Sequence, residues 1–296
     1  MMKYIYIILV SFAITLTLNS CIINEDLELN KYPEYLIVKG DLPLGEFATI
    51  DLQYSLDYAL PFELHYNKIN DTKISNARVI LKDSNGIEEL LTESTSEDEK
   101  GRYYSKLIKG VENTNYELLI DVDDKHYSST SKISRPIEID KISHEKYTAE
   151  FGDIKAKISL SWKDRKYQDN FYMVKVGVKY FDKNRMDSCF YYRETFLFSD
   201  LNNDGNVINV TCKVDPLSIH RQNQGDGLYV SLCLIDEDTY NYFNGVAGYD
   251  INSGDSYSVS PGNLPTNIKG RAFGVFNAYP MSTKKININK EDYYNF

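Results

Sequence analysis

Basic charge is scarce in this chain of 296 residues: 33 lysines and arginines stand against 43 acidic residues, a formal charge of −10 with a pI of about 5.0. Such a surface repels phosphate backbones, which excludes nucleic acid as a partner and a polybasic role at a membrane surface. Catalytic signatures are missing too. There is no HExxH helix, no GxSxG elbow and no glycine loop that would cradle a phosphate. The four histidines, His65, His126, His144 and His220, are scattered through unrelated segments. Carboxylate pairs of the kind glycosidases use carry no information here, because 43 acidic residues supply such pairs by chance. The reading is therefore no enzyme, with an exported hydrolase as the third choice. Tryptophan is reduced to one residue while tyrosine rises to 25. Tyrosine suits strands, since its ring packs while its hydroxyl stays wet. An apolar fraction of 42% and a charged fraction of 26% are those of a folded protein.

Long apolar runs are also absent. The longest, Ile5 to Leu18, follows Lys3 and falls short of the roughly 20 residues that a spanning helix needs. It ends in Leu18-Asn19-Ser20-Cys21, and the whole resembles the leader of bacterial lipoproteins. That resemblance implies that the Cys21 thiol takes a diacylglycerol, that the chain is cut before it, and that the new amine is acylated. No other cofactor is expected. Asn19 departs from the small residue usual at its position. Two or more acyl chains anchor stably, whereas one does so marginally. Behind the cysteine, Glu25, Asp26 and Glu28 resemble the acidic signal that places lipoproteins on the surface of Bacteroidota-type cells. Residues 1–20 then read as signal peptide and 21–31 as lipidated tether, on the outer membrane, facing outward or into the periplasm. The blander alternatives are an ordinary secretory signal with an incidental Cys21, and a merely solvated tether.

Export frames the remaining cysteines, Cys189, Cys212 and Cys233. Three is odd, so at least one is free or pairs elsewhere, and no CxxC spacing points to zinc or redox chemistry. Thiols buried in strands are the expectation.

What the chain does have is period-two alternation, the mark of half-buried strands. Ala48, Ile50, Leu52 and Tyr54 show it; so do Tyr116 to Val122, Ala156 to Trp162, Tyr172 to Tyr180 and Leu228 to Leu234. Ser84-Asn85-Gly86, Asp123-Asp124-Lys125, Asn203-Asp204-Gly205 and Gly225-Asp226-Gly227 supply turns between them. The fold class is all-β, with two β-sandwich domains. Pro136 interrupts sheet pairing and marks the boundary. Residues 32–135 form an immunoglobulin- or transthyretin-like sandwich, and 136–296 a larger one, restarted by a strand at Ile137-Glu138-Ile139-Asp140. One short helix is expected over 236–248, opened by Asp236-Glu237-Asp238 and burying Tyr240, Phe243, Val246 and Ala247 on one face. The tail from Lys284 to Phe296 reads as polar and loosely held.

One loop carries a metal hint. Asp200-Leu201-Asn202-Asn203-Asp204-Gly205 resembles the start of a calcium loop, with Asp200, Asn202 and Asp204 as oxygen ligands and glycine at the sharp turn. Thr211 occupies the closing position where a bidentate glutamate belongs, and a plain β-turn explains the same residues. No metal is expected, and this loop is the one candidate for calcium. Tyr103-Tyr104, Phe190-Tyr191-Tyr192 and Tyr240-Asn241-Tyr242-Phe243 can stack on planar ligands, although alternate rings in a strand belong to the core.

Several motifs line up in order with one family. They are Glu34 to Gly40, Ser75 to Val79, Ser161-Trp162-Lys163-Asp164 with Phe171 to Val174, Phe198-Ser199-Asp200 with Asp204-Gly205, Tyr240-Asn241-Tyr242, and Pro265 to Phe276. In this the chain resembles the lipoproteins called Domain of Unknown Function 4249. The family's usual glycine-leucine-glycine appears as Arg271-Ala272-Phe273-Gly274. The resemblance implies an outer-membrane lipoprotein of Bacteroidota that works beside a TonB-dependent transporter, as a non-enzymatic accessory that captures or hands over a small ligand. It supplies no catalytic residues. A structural or adhesive envelope lipoprotein is the alternative.

Overall fold

The computed structural model describes residues 35–55, 72–149, 152–182, 187–201, 204–216, 227–252 and 265–288, with backbone alone for 180–182, 187–189 and 247–252. The leader, Cys21 and the tether lie outside the described residues, as do His65, His220 and Asn202. The all-β class holds: among the described residues, sixteen strands make up four sheets, accompanied by one α-helix.

The first sandwich comprises β1 (Leu36–Pro43), β2 (Phe47–Tyr54), β3 (Arg78–Asp83), β4 (Glu88–Leu90), β5 (Thr92–Glu93), β6 (Arg102–Lys109), β7 (Thr114–Val122), β8 (Lys125–Ile133) and, from far along the chain, β15 (Ala272–Tyr279). One sheet has the order β15-β1-β2-β6-β5 and the other β4-β3-β7-β8. Alternation decides which residues meet between them. Leu36 and Val38, Ala48, Ile50 and Leu52, Val79 and Leu81, Tyr116, Leu118, Ile120 and Val122, and Phe276 with Ala278 form one core.

The second sandwich packs the sheet β13-β10-β9 on the sheet β12-β11-β14-β16. Its strands are β9 (Lys141–Thr148), β10 (Ile154–Lys163), β11 (Phe171–Asp182), β12 (Asp187–Ser199), β13 (Val207–Val214), β14 (Leu228–Ile235) and β16 (Met281–Ile286). Ala156, Ile158, Leu160 and Trp162 face Tyr172, Val174, Val176 and Val178 across the core. Cys212 and Cys233 are buried free thiols, and burial pushes both up to about 12. The helix, α1 (Glu237–Asn252), begins where Asp236 caps it by accepting from Thr239 N at 2.7 Å. Tyr240 and Phe243 cover Met173 of β11, Cys233 and Ile235 of β14, and Tyr279 at the end of β15.

Several expectations need correction. A division at 135/136 leaves out β15, which pairs in parallel with β1 from Leu36↔Ala272 to Pro43↔Tyr279. The chain therefore returns to the first sandwich and steps across at Pro280 into β16. Gly274 makes that return feasible. It has φ +106, and a Cβ there would sit 1.8 Å from Val38 O. Residues 134–140 form no strand, although Ile137 and Ile139 are buried in the second core. Val246 is exposed, so the helix buries a narrower face than its spacing implies. The tail is not loose from Lys284, because it completes β16 and buries Ile286 and Ile288.

Candidate functional site

At one end of the second sandwich two loops lie side by side. The β10–β11 loop leaves the sheet at Asp164, and the β12–β13 loop leaves it at Asp200. Backbone bonds knit them together: Asp164 N donates to Asn206 O at 2.9 Å, and Asp200 N to Asn170 O at 3.1 Å. This brings Asp164, Asp200 and Asp204 together, with one carboxylate oxygen of each within 4.8 Å of the others. Asp164 and Asp200 are each 5% exposed, while Asp204 faces solvent.

The hydrogen bonds are unevenly shared. Asp164 Oδ1 accepts from the Tyr172 hydroxyl and from Asn170 Nδ2 at 3.1 Å, and its Oδ2 accepts from Gly205 N at 2.6 Å. Asp204 Oδ1 accepts from Tyr167 N at 2.8 Å. Among the described residues, Asp200 Oδ2 accepts only from Asn170 Nδ2, at 3.2 Å. Burial, and then the Asp164 carboxylate, push the Tyr172 phenol far above its ordinary range, so it remains a proton donor. Gly205, at φ +66, lets the Lys166 stem cross where a Cβ would otherwise lie 1.9 Å from Lys166 Cγ. Tyr167, 90% exposed, and Leu201, 73% exposed, flank the mouth.

The structure thus brings Asp200 and Asp204 together as their spacing implies, while Asn202 lies outside the described residues. Thr211 does not close the loop. It sits in β13 opposite Ser159, their hydroxyls 3.4 Å apart on the exposed face. Asp164 is the residue that sequence spacing misses. It lies 36 positions upstream of Asp200, and its only local signal is an acidic residue closing the Trp162 strand. An oxygen-only set of this kind suits a hard divalent cation.

A second feature is a cleft of about 800 Å³ between the sandwiches. Leu234, Ile235, Tyr116 and Ala278 form its apolar lining; Lys82, Lys132, Asp83, Glu117 and Asp236 are its charged residues. Domain interfaces are favoured places for small ligands. His126 pairs with Asp121 at 2.7 Å on an exposed surface, and His144 lies on the exposed strand β9, so neither described histidine belongs to either feature. In β12, Tyr191 packs on the core while Phe190 and Tyr192 stack at 5.6 Å on the opposite face. Tyr103 and Tyr104 are both buried, against the alternation expected of them.

Among the described residues, no helix is long and apolar enough to cross a membrane. The sequence profile described as "Domain of unknown function (DUF4249)" matches residues 24–285. No curated protein matches the chain. Among solved structures, a DUF4785 family protein from Legionella pneumophila is similar at 12% identity with a TM-score of 0.22. The match covers 67% of this chain and 52% of that one, so the chain spans about half the length of that structure.

Proposed function

We propose a reading whose premise is that this chain belongs to the DUF4249 family: the protein is a non-enzymatic, lipid-anchored accessory of an outer-membrane transporter. The single observation that carries the anchor is Cys21 at the end of its leader, behind a short apolar run and ahead of Glu25, Asp26 and Glu28. Acyl chains on that sulfur hold the sandwiches at the outer membrane of a Bacteroidota-type cell, on the surface side. The 800 Å³ cleft between two sandwiches supports a capture role, because it sets apolar and charged side chains around a space that suits a small ligand. The partner on this reading is a TonB-dependent barrel, which takes the ligand across the membrane.

Affinity purification from the native envelope tests the partnership. Recovery of a TonB-dependent barrel is the expected result, and recovery of fimbrial or envelope-structure proteins alone would replace this reading with an adhesive one. The anchor is tested separately. Cys21→Ser should move the protein from the detergent phase to the aqueous phase, and unchanged partition would refute lipidation.

A further inference from the structure

We infer that Asp164, Asp200 and Asp204 form a calcium site, one that does not depend on the anchor or on any transporter. Three carboxylates in a corner would not by themselves carry this, because donors of the chain could satisfy them all. The donors fall short by count. Asn170 Nδ2 lies 2.9 Å from Arg165 O, 3.0 Å from Gln168 O, 3.1 Å from Asp164 Oδ1 and 3.2 Å from Asp200 Oδ2. An amide nitrogen holds two protons, so two of those four oxygens receive none. Asp200 is the farthest of the four, and among the described residues it has no other side-chain partner. A side chain 5% exposed is thus left as an anion without a dedicated donor, directed at two more carboxylates.

Countercharge is missing as well. Among the described residues, no lysine, arginine or histidine nitrogen lies within 4.0 Å of any of the three carboxylates. Arg165 turns away to Arg135 O, and Lys166 lends its stem to Gly205 without forming an ion pair. Buried charges persist in proteins when they are paired or bind a metal. Here the oxygens that lack protons, two of them neutral or charged depending on which the amide serves, converge on one small volume. All are hard donors with neither nitrogen nor sulfur among them, which selects calcium over zinc. Asp204 at the solvent side supplies an entry path.

The test uses the full-length protein in detergent, stripped with EGTA and titrated with calcium chloride. Trp162 is the single tryptophan, and its ring lies 5.0 Å from that of Tyr172, which donates to Asp164, so its emission reports on the corner. Calorimetry should give one saturable ion with a matching change in emission. At calcium about 100-fold above Kd, Tm should rise by about 5 °C or more. Asp164→Asn should abolish the response. Should that variant not fold, the exposed Asp204→Asn decides, and it should weaken binding by about 10-fold or more. No heat, Tm shift or emission change at about 5 mM calcium, above the range of weak extracellular sites, overturns the inference. So does a magnesium response equal to that of calcium, or full binding in Asp204→Asn.

Discussion

Each sandwich buries carboxylates, and the two handle them in opposite ways. In the first, Glu89 of β4 is 9% exposed and accepts from three successive backbone N–H groups, those of Lys106, Leu107 and Ile108, at 2.5 to 3.0 Å. Those donors are free because β6 bulges away from β2: Phe47 pairs with Lys109 and Thr49 with Tyr104, which leaves the intervening residues off the ladder. One side chain thereby satisfies a broken strand and ties β4 of one sheet to β6 of the other. In the second sandwich, Asp164 and Asp200 divide a single amide whose two protons are also claimed by two backbone carbonyls. The same charge at similar burial is thus a fastener in one place and a deficit in the other. Burial does not separate the two cases; the supply of protons does.

Removing the fastener should produce the largest effect. Glu89→Ala strands three partly or fully buried donors and should lower stability by about 3 kcal/mol, independently of calcium. Urea denaturation monitored by circular dichroism measures it. A loss under about 1 kcal/mol would mean that water replaces the carboxylate, and the contrast between the sandwiches would dissolve.

Lys175 offers a cation to set beside these anions. It is 8% exposed in β11, donates to the Tyr279 hydroxyl at 2.6 Å, and lies 3.6 Å from Asp41 of β1. It therefore joins the sandwiches at the point where the chain crosses between them. Asp41 is 37% exposed and rehydrates when its partner is lost, which moderates the penalty. Lys175→Met should cost about 2 kcal/mol in thermal melts. A neutral result would show that the crossing strand alone holds the two cores together.

Asp200→Asn should reverse the sign. In EGTA the variant removes one of three crowded charges and should gain about 1 kcal/mol over the parent protein. With calcium present the order should invert, since the parent gains from the ion and the variant does not. Paired melts with and without EGTA decide it, and a variant less stable than the parent in both conditions would place Asp200 alongside Glu89.

Much of this is legible in the amino-acid sequence alone. Alternation located the inward faces of β2, β7, β10, β11 and β14, because period two leaves little choice once one side is buried. The acidic opening of α1 was legible for a similar local reason. The return of β15 to β1 was not, since parallel pairing across more than 200 residues leaves no local trace. Gly274 held a clue, as a glycine inside an apolar run marks a close backbone approach. The candidate site was half legible: Asp200 and Asp204 belong to one loop, whereas Asp164 and Asn170 reach it through sheet register. Glu89 was invisible, because nothing in Glu88-Glu89-Leu90 announces which glutamate turns inward onto a bulge elsewhere.

The smallest expected effect sharpens the contrast from the acid side. Glu93 of β5 is partly buried, which alone would push its carboxyl up. The backbone N–H of Asn76, the Ser75 hydroxyl and the backbone N–H of Gly101 outweigh that and hold it below its ordinary value of 4.5. A group depressed in the folded state contributes stability that is complete above its unfolded pKa and is lost as pH falls through the folded one. Glu93→Gln should therefore flatten the decline of stability below about pH 4.5 and change nothing in its slope at neutral pH. Urea midpoints collected from pH 3 to pH 7 give both slopes. An unchanged acid slope would mean that these donors serve the backbone turn whatever the charge of the side chain, so that carboxylates in the first sandwich are chosen for shape and those in the second for charge.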